Sequence, residues 1–270
     1  MTFIRCLLTA AALTLCAAVA SADGPKRLLI LQQGPDGHAA TTHEYVAGVK
    51  IIQKCLDKVP DLEIKIASAD EPFRDGPELL EKADGVVLYL AEGAKWLMND
   101  ARRHAAFKKL AARGGGMVAL HWAIGTKEAN NIDGFVELFG GCHGGPDRKM
   151  KIVQANVTVA DSKHPIATAV KDFAVRDEFY YQLKFVKPAA TAKPLLKATI
   201  DGQVETVAWT WERPDGGRSF GYSGLHFHDN WSMTECRRLV AQSILWTLKL
   251  PIPKEGLPVR ITAEDIKLVK

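Results

Sequence analysis

The sequence lacks a strong excess of charge of either sign. Its 270 residues carry 35 Lys and Arg against 31 Asp and Glu, a formal net charge of +4, and the cations are not gathered into a run. Proteins that bind nucleic acid through charge show a basic patch or stripe. This composition therefore argues against a nucleic-acid partner. With 47% hydrophobic and 24% charged residues, the chain has the composition of an ordinary globular protein.

Cysteine is also scarce. Of five cysteines, two lie within the first 22 residues, and the other three, Cys55, Cys142 and Cys236, are widely spaced. Three such cysteines form at most one bridge and no disulfide framework. Stability must therefore come from a hydrophobic core, and a chain of this length can build one as a single α/β domain.

The sequence contains no apolar run long enough for a membrane span, which needs about 20 residues. Its first apolar run, residues 6–19, follows Arg5 and is closed by the small residues 20–22. A positive start, a short apolar core and an A-x-A end are typical of a secretory signal peptide. We expect cleavage after Ala22 and a secreted or periplasmic protein without stable membrane insertion. An uncleaved N-terminal anchor is the alternative.

Short apolar runs alternate with helical patterns in the first half of the chain. Strands are predicted over residues 28–32, 62–67, 85–90 and 117–120, and helices over residues 42–59 and 99–113. Strands that are apolar on both faces and alternate with helices indicate a parallel sheet with right-handed crossovers. The fold class is therefore α/β, of the doubly wound type.

The second half of the chain is typical of antiparallel strands joined by tight turns. Such strands are predicted over residues 151–159, 195–200, 205–212 and 219–227, as additions at the sheet edge. Ser232 and Glu235 have capping-box spacing and predict the start of a helix that ends before Pro251. Residues 251–270 are predicted to be a surface tail with one short strand. The predicted organisation is a signal peptide over 1–22, one domain over 23–250 and this tail.

Polar residues collect where the predicted strands end. In open parallel sheets, ligands bind beyond the carboxyl ends of the strands. Only His104 lies in the middle of a predicted helix, whereas His43 lies at a helix start and the other histidines lie in loops or at strand ends. We therefore expect a concave, imidazole-rich site. Its candidate residues after the strands are His38, His43, Glu92, His121, Trp122, His226 and His228, with His143 added from a glycine-rich loop.

The segment GGGMVALHWAIG carries a buried strand into a sharp turn. In α/β enzymes this turn presents a nucleophile, but here it holds His121 and Trp122. A Ser or Cys nucleophile is missing where this architecture needs it, which argues against acyl-enzyme chemistry. Cys142 is the alternative thiol, and we interpret it as structural.

Two other patterns carry chemistry. His226-x-His228 at a strand end puts both imidazoles on one face, which suits metal ligation if His38, His43, Glu92 or His121 supplies a third ligand. No H-E-x-x-H or C-x-x-C motif supports this, so a divalent metal is an alternative and no other cofactor is expected. Asp177, Glu178 and Tyr180 combine carboxylates with an aromatic ring, as sugar sites do.

Several motifs together resemble the ThuA-like (trehalose utilisation) family over roughly residues 26–250. They are GGGMVALHWA, FGGCHGGP, SKHPIA, VRDEFYYQ, VAWTWERPDGGRSFGYSGLHFHDNW and RLVAQSILWTL. The resemblance implies a class I glutamine amidotransferase-like fold, a flavodoxin-like three-layer sandwich with a mostly parallel sheet and antiparallel edge additions. His121 matches the position where glutamine amidotransferases carry their catalytic Cys.

The resemblance also bears on the remaining motifs. The family's DE-x-Y segment matches Asp177, Glu178 and Tyr180, and its glycine-histidine segment matches Leu225-His226, with Leu in place of Gly. The family's His-Pro appears here as His143-Gly144. The family is associated with disaccharide breakdown and keto-sugar metabolism.

These observations lead to the expectation of an exported, carbohydrate-directed enzyme. His121 and His226 are the predicted general acid and base, and Asp177 or Glu178 orients a histidine or holds sugar hydroxyls. The predicted substrate-binding residues are His38, His43, Glu92, Trp122, His143, Tyr180 and His228. The alternatives are a non-catalytic carbohydrate-binding protein, a metal-dependent hydrolase or isomerase, and a Cys142-dependent amidase.

Overall fold

The structure, a computed structural model, describes residues 24–268. The predicted signal peptide and its cleavage site lie outside the described residues. The strands are β1 Lys26–Gln32, β2 Leu62–Ser68, β3 Gly85–Tyr89, β4 Gly116–Leu120, β5 Gly125–Thr126, β6 Gly141–Gly144, β7 Lys149–Val159, β8 Phe173–Tyr181, β9 Lys184–Phe185, β10 Ala192–Ile200, β11 Gln203–Glu212 and β12 Arg218–Tyr222. The α-helices are α1 Tyr45–Leu56, α2 Gly76–Glu81, α3 Gly93–Met98, α4 Ala101–Ala112, α5 Ile132–Phe139, α6 Thr234–Thr247 and α7 Ala263–Ile266.

The central sheet has nine strands, and its first five, in the order β2-β1-β3-β4-β12, are parallel. Every residue of β3 and β4 is buried, because helices cover both faces of this part of the sheet. Alternate residues of β4 enter different core clusters: Val118 packs with residues of α1 and α6, and Met117 packs with residues of α3 to α5. The predicted flavodoxin-like α/β sandwich is confirmed.

The remaining strands extend the sheet in the order β12-β11-β10-β7-β8, and all of their pairings are antiparallel. The edge strand β8 lies beside the loop that follows β12, since the Asn230 side chain donates a hydrogen bond to the Arg176 carbonyl oxygen of β8. The extension therefore brings residues of β8 back to the carboxyl ends of β4 and β12.

Three local predictions were wrong. The strand predicted over residues 219–227 ends at Tyr222, because Leu225 has φ +77° and cannot continue a strand. Helix α6 begins at Thr234 after Met233, and no capping-box bond from Ser232 forms. The tail carries the short helix α7 instead of a strand, and the capping box in this part of the chain belongs to Thr262 and Asp265.

The three cysteines of the described residues form no disulfide, as expected of a protein stabilised by its hydrophobic core. Cys55, Cys142 and Cys236 are all buried free thiols.

Among the helices of residues 24–268, none is long and apolar enough to cross a membrane.

Candidate functional site

Three histidines are presented at the carboxyl end of the parallel strands by strained backbone. His121 follows β4 directly and has φ +50°, and His43 precedes α1 with φ +54°. His226 follows Leu225, whose φ is +77°. Residues other than glycine rarely adopt this left-handed region, and such strain is concentrated at functional sites. The backbone at each position is bent so that the imidazole points to one shared place.

The three imidazoles meet at hydrogen-bonding distance. His43 Nε2 lies 2.9 Å from His121 Nε2 and 3.0 Å from His226 Nδ1. His121 Nε2 lies 3.2 Å from His226 Nδ1. All three side chains are buried. We call these residues, together with Glu178, the histidine cluster.

Hydrogen bonds at Nδ1 of His43 and of His121, the nitrogens that face away from the shared point, fix where the ring protons lie. His121 Nδ1 lies 2.9 Å from the Ser223 carbonyl oxygen, to which only an N–H can donate. His43 Nδ1 lies 2.7 Å from Asp36 Oδ2 and donates to that carboxylate. In a neutral imidazole the other nitrogen then carries a lone pair. The inward nitrogen of each of these two rings is therefore an acceptor whenever that ring is neutral.

Burial keeps the rings of His121 and His226 uncharged. Burial, reinforced by His43 and His226, lowers the pKa of His121 well below its ordinary value. Burial, reinforced by His43 and His38, lowers the pKa of His226 to about 4. The uncharged His121 ring, whose Nδ1 carries the proton, thus directs the lone pair of its Nε2 at the point where the three rings converge.

Glu178 is the fourth member of the histidine cluster. Its Oε2 lies 3.5 Å from His226 Nδ1 and 3.9 Å from His121 Nε2. Burial raises the pKa of this carboxyl group. One ligand atom from each of His43, His121, His226 and Glu178 lies within 4.8 Å of all the others.

Asp177 acts on the neighbouring backbone. Its fully buried carboxylate accepts hydrogen bonds from the backbone N–H groups of Leu225, at 2.6 Å, and His226, at 3.0 Å. Burial raises its pKa to about 7, and these N–H donors oppose the rise. Asp177 therefore holds the turn that presents His226.

Aromatic rings line one side of the histidine cluster. Tyr180 stacks on His121 with ring centroids 4.8 Å apart and on His143 with centroids 4.2 Å apart. The Tyr180 hydroxyl lies 3.1 Å from His121 Nε2. Trp122 packs against both His143 and Tyr180. Burial, with Arg148 and Lys184, lowers the pKa of His143 to about 3, so this ring is neutral as well.

His38 forms the solvent-facing rim of the histidine cluster: its side chain is 46% exposed, and its ring stacks on the His43 ring with centroids 3.7 Å apart.

Two of the predicted site residues form hydrogen bonds with other parts of the chain. His228 was predicted to share a face with His226, but it begins a 3₁₀ helix and its Nε2 donates to the Ile266 carbonyl oxygen at 2.8 Å. The carboxylate of Glu92, another predicted ligand-binding residue, accepts a hydrogen bond from the Lys127 N–H.

The thiol alternative finds no support in the geometry. Cys142 is fully buried, its Sγ lies 3.6 Å from the His143 carbonyl oxygen, and burial raises the pKa of the thiol. A thiolate nucleophile requires the opposite, a lowered pKa and access to solvent.

Sequence reasoning missed the residues that hold the cluster from behind. Asp36 accepts hydrogen bonds from His43, from the Tyr45 hydroxyl at 2.8 Å and from His38 at 2.7 Å. Burial acts to raise its pKa, but these bonds outweigh burial and hold the pKa well below its usual value. The spacing of Asp36 to His38 and His43 within one loop was the available signal. The Ser223 carbonyl had none.

Comparisons with known proteins agree with this architecture. The family model ThuA, described as trehalose utilisation, matches residues 29–247. No curated protein matches the chain.

Solved structures are similar at low sequence identity. A ThuA-like protein from Bacteroides uniformis ATCC 8492 superposes with TM-score 0.65 and 17% identity, covering 90% of this chain and 99% of that one. A ThuA-like protein from Parabacteroides merdae ATCC 43184 gives TM-score 0.59 and 14% identity, covering 91% and 100%. The CTPS glutaminase domain of Trypanosoma brucei gives TM-score 0.50 and 13% identity, covering 88% and 100%.

At these identities the structures establish a shared fold, and the family model, which spans most of the sequence, establishes the relationship. The chain belongs to the ThuA family, the trehalose-utilisation family.

Proposed function

We propose that the protein is an exported, carbohydrate-directed enzyme of disaccharide or keto-sugar breakdown, and that its histidine cluster holds a divalent metal ion. Membership of the trehalose-utilisation family supports the substrate class. The single observation that carries the metal is the convergence of three imidazole nitrogens to 2.9–3.2 Å of one another.

The spacing of the nitrogens fits a common ion. Histidine nitrogens bind zinc at about 2.1 Å, so two ligands at 90–109° lie roughly 3.0–3.4 Å apart. The observed separations of 2.9, 3.0 and 3.2 Å lie close to this range. A single proton bridges only one pair of nitrogens, whereas one cation could be bound by all three. Three imidazoles and one carboxylate suit zinc, manganese, iron or nickel.

The groups behind the ligands support the same interpretation. Metal-bound histidines donate their second ring N–H to a carboxylate or a backbone carbonyl, which fixes the tautomer. His43 donates to Asp36, and His121 donates to the Ser223 carbonyl. Both of these bonds direct a lone pair at the same point.

The burial of His121 and His226 favours a metal site over the general acid and base expected from the sequence. A general acid must carry a proton into the reaction, yet burial lowers the pKa of His121 well below its ordinary value and that of His226 to about 4. Both rings are therefore unprotonated at neutral pH, which is the state in which imidazole binds metal. We therefore assign His121 and His226 as ligands of the proposed metal ion, in place of the general acid and base.

A bound divalent ion supplies Lewis-acid polarisation of a sugar hydroxyl or carbonyl oxygen. Glu178 Oε2 lies nearest the ring nitrogens, and this carboxylate would accept a proton from a hydroxyl group of the sugar. Tyr180 and His143 close one side with stacked rings and exclude water there. His38 at the rim is placed to contact the part of a sugar that extends outward.

The test is metal content and turnover. Protein purified without chelators and reconstituted with zinc, manganese or iron is expected to bind one ion, and His43→Ala and His121→Ala are expected to bind much less. Turnover of disaccharides and their 3-keto derivatives should require the ion. His104→Ala, a histidine on helix α4, is the matched control.

Metal content below one tenth of an equivalent after reconstitution would refute the metal centre. One equivalent of metal, with sugar affinity by calorimetry but no product on long incubation, would refute catalysis and leave a carbohydrate-binding protein.

A further inference from the structure

The antiparallel pairing of β7 and β8 places two apolar side chains on the face that carries Glu178 of the histidine cluster. In the register of this antiparallel pair, Ile152 lies directly opposite Glu178, and Met150 lies directly opposite Tyr180. Directly opposite residues point to the same face of a sheet, with Cβ atoms about 5 Å apart. Ile152 and Met150 therefore stand on the face that carries Glu178.

Both side chains are open to solvent. Met150 is 54% exposed and Ile152 is 45% exposed, whereas Ala155 and Val157, on the other face of the same strand, are buried in the core. Single exposed apolar residues are common on protein surfaces. Here two such residues stand at alternate positions of one strand, on the face that carries Glu178. We call Met150 and Ile152 the apolar step.

The apolar step and the imidazoles lie on opposite sides of β8. The loop that carries His226 runs along the free edge of β8, as the hydrogen bond from Asn230 to the Arg176 carbonyl shows. The apolar step lies across β8, on its paired neighbour β7. With strands about 4.8 Å apart, the step lies roughly 10 Å from the point where the nitrogens converge. A molecule bound there by one end would reach the step with its other end.

The chemistry of the step indicates what that other end is. A thioether and a branched alkyl chain offer no hydrogen bonds to sugar hydroxyls, but they pack well against aromatic rings and alkyl chains. The other flank of Glu178 on this face carries Arg176, whose guanidinium lies 4.6 Å from the Phe227 ring centroid. Along β8, a charged side chain thus lies on the side of Glu178 that is away from Met150.

We propose that Met150 and Ile152 form a subsite for an apolar aglycone, an aromatic or alkyl group joined to the sugar that the histidine cluster binds. This inference rests on the proposed function, since it requires the cluster to hold the polar end of the ligand. The substrate class is then a glycoside with an apolar substituent.

The test uses hydroxamates, which chelate a divalent ion whatever the natural sugar. Zinc-loaded protein is titrated with acetohydroxamate and with 4-phenylbenzohydroxamate, whose second ring extends past Glu178. In the wild type the biphenyl group should improve Kd at least about tenfold, because it buries apolar surface on the step. In the double variant Met150→Gln, Ile152→Thr, this gain should fall below about threefold, while acetohydroxamate affinity stays within about twofold.

Both substitutions are at exposed positions, and thermal unfolding checks that the double variant is folded. Val204→Thr is the matched control: Val204 is 67% exposed and lies on β11, two strands from β7, so the gain should be retained. An equal biphenyl gain in the wild type and the double variant would overturn the subsite while leaving the metal centre standing. If acetohydroxamate does not bind zinc-loaded wild type, the metal centre is refuted and the subsite with it.

Discussion

Asp36 is expected to control how tightly the histidine cluster binds metal, although its carboxylate is not a ligand. Its side chain is 12% exposed and receives His43 Nδ1–H on one oxygen and His38 Nδ1 on the other, both at 2.7 Å. The Tyr45 hydroxyl donates to the same oxygen as His43. The carboxylate thereby keeps the proton of His43 on Nδ1 and the lone pair on Nε2.

Two substitutions separate the parts of this role. In Asp36→Ala, His43 Nδ1 loses its acceptor. The imidazole is then free to rotate and to place its proton on Nε2. This proton must return to Nδ1 before Nε2 can bind the metal ion. Loss of such a partner weakens metal affinity 10- to 100-fold, and the upper end, about 2.7 kcal/mol, is expected here because His43 is buried. In Asp36→Asn, the amide oxygen still accepts from Nδ1, so about tenfold is expected.

The assay is the zinc Kd by competition with a chromophoric chelator, with chemical denaturation as the check on folding. Asp70→Asn is the matched control, because the Asp70 carboxylate accepts the Gly34 N–H and the Ser68 hydroxyl on a nearby loop. A zinc Kd for folded Asp36→Ala within twofold of wild type would refute the argument. It would mean that the tautomer of His43 is set by something else, or that the cluster does not bind the ion.

Four further outcomes are expected. Asp177→Asn should lower the free energy of unfolding by about 1–3 kcal/mol in urea and weaken zinc binding, because an amide cannot accept from both N–H groups of the turn; unchanged zinc affinity would contradict its role in holding His226. Metal-free protein should lose stability as the pH falls from about 6.5 to 4, because the His226 pKa is lowered to about 4 in the folded state and the unfolded chain takes up the proton first. Asp177, with its pKa raised to about 7, contributes with the opposite sign, so the difference between wild type and His226→Asn in urea titrations isolates the imidazole. Treatment with iodoacetamide under native conditions should leave turnover unchanged, since Cys142 is fully buried, and loss of activity in wild type but not in Cys142→Ser would revive the thiol mechanism. Mass spectrometry of the exported protein should find Asp23 as the first residue, and an intact N-terminus would favour the anchor.

The sequence by itself determined the parallel half of the fold. Runs such as residues 85–90 and 117–120 are apolar throughout, and this pattern arises wherever helices must cover both faces of a strand. The same local reasoning placed His121 at the turn after β4, since strand ends and glycines are visible in the chain itself. It also placed His43 and His226 near one edge of the sheet, because the carboxyl ends of parallel strands lie together.

Only the tertiary structure decided which of these histidines belong together. His226 and His228 are two residues apart and were expected to share a face, but Leu225 takes a left-handed φ, the strand ends at Tyr222, and His228 turns towards the tail. His43 and His226 are 183 residues apart and touch.

The sequence marked Glu178 as a candidate residue, but it did not show that β8 lies beside the imidazoles. Glu178 reaches the imidazoles because four antiparallel pairings carry the sheet edge back to the loop after β12, where Asp177 holds that loop in place. Periodicity reports which face of an element is buried, and it cannot report which distant element covers that face. The candidate residues of the site could therefore be identified from the sequence, whereas their convergence on one point depends on the strand order of the sheet.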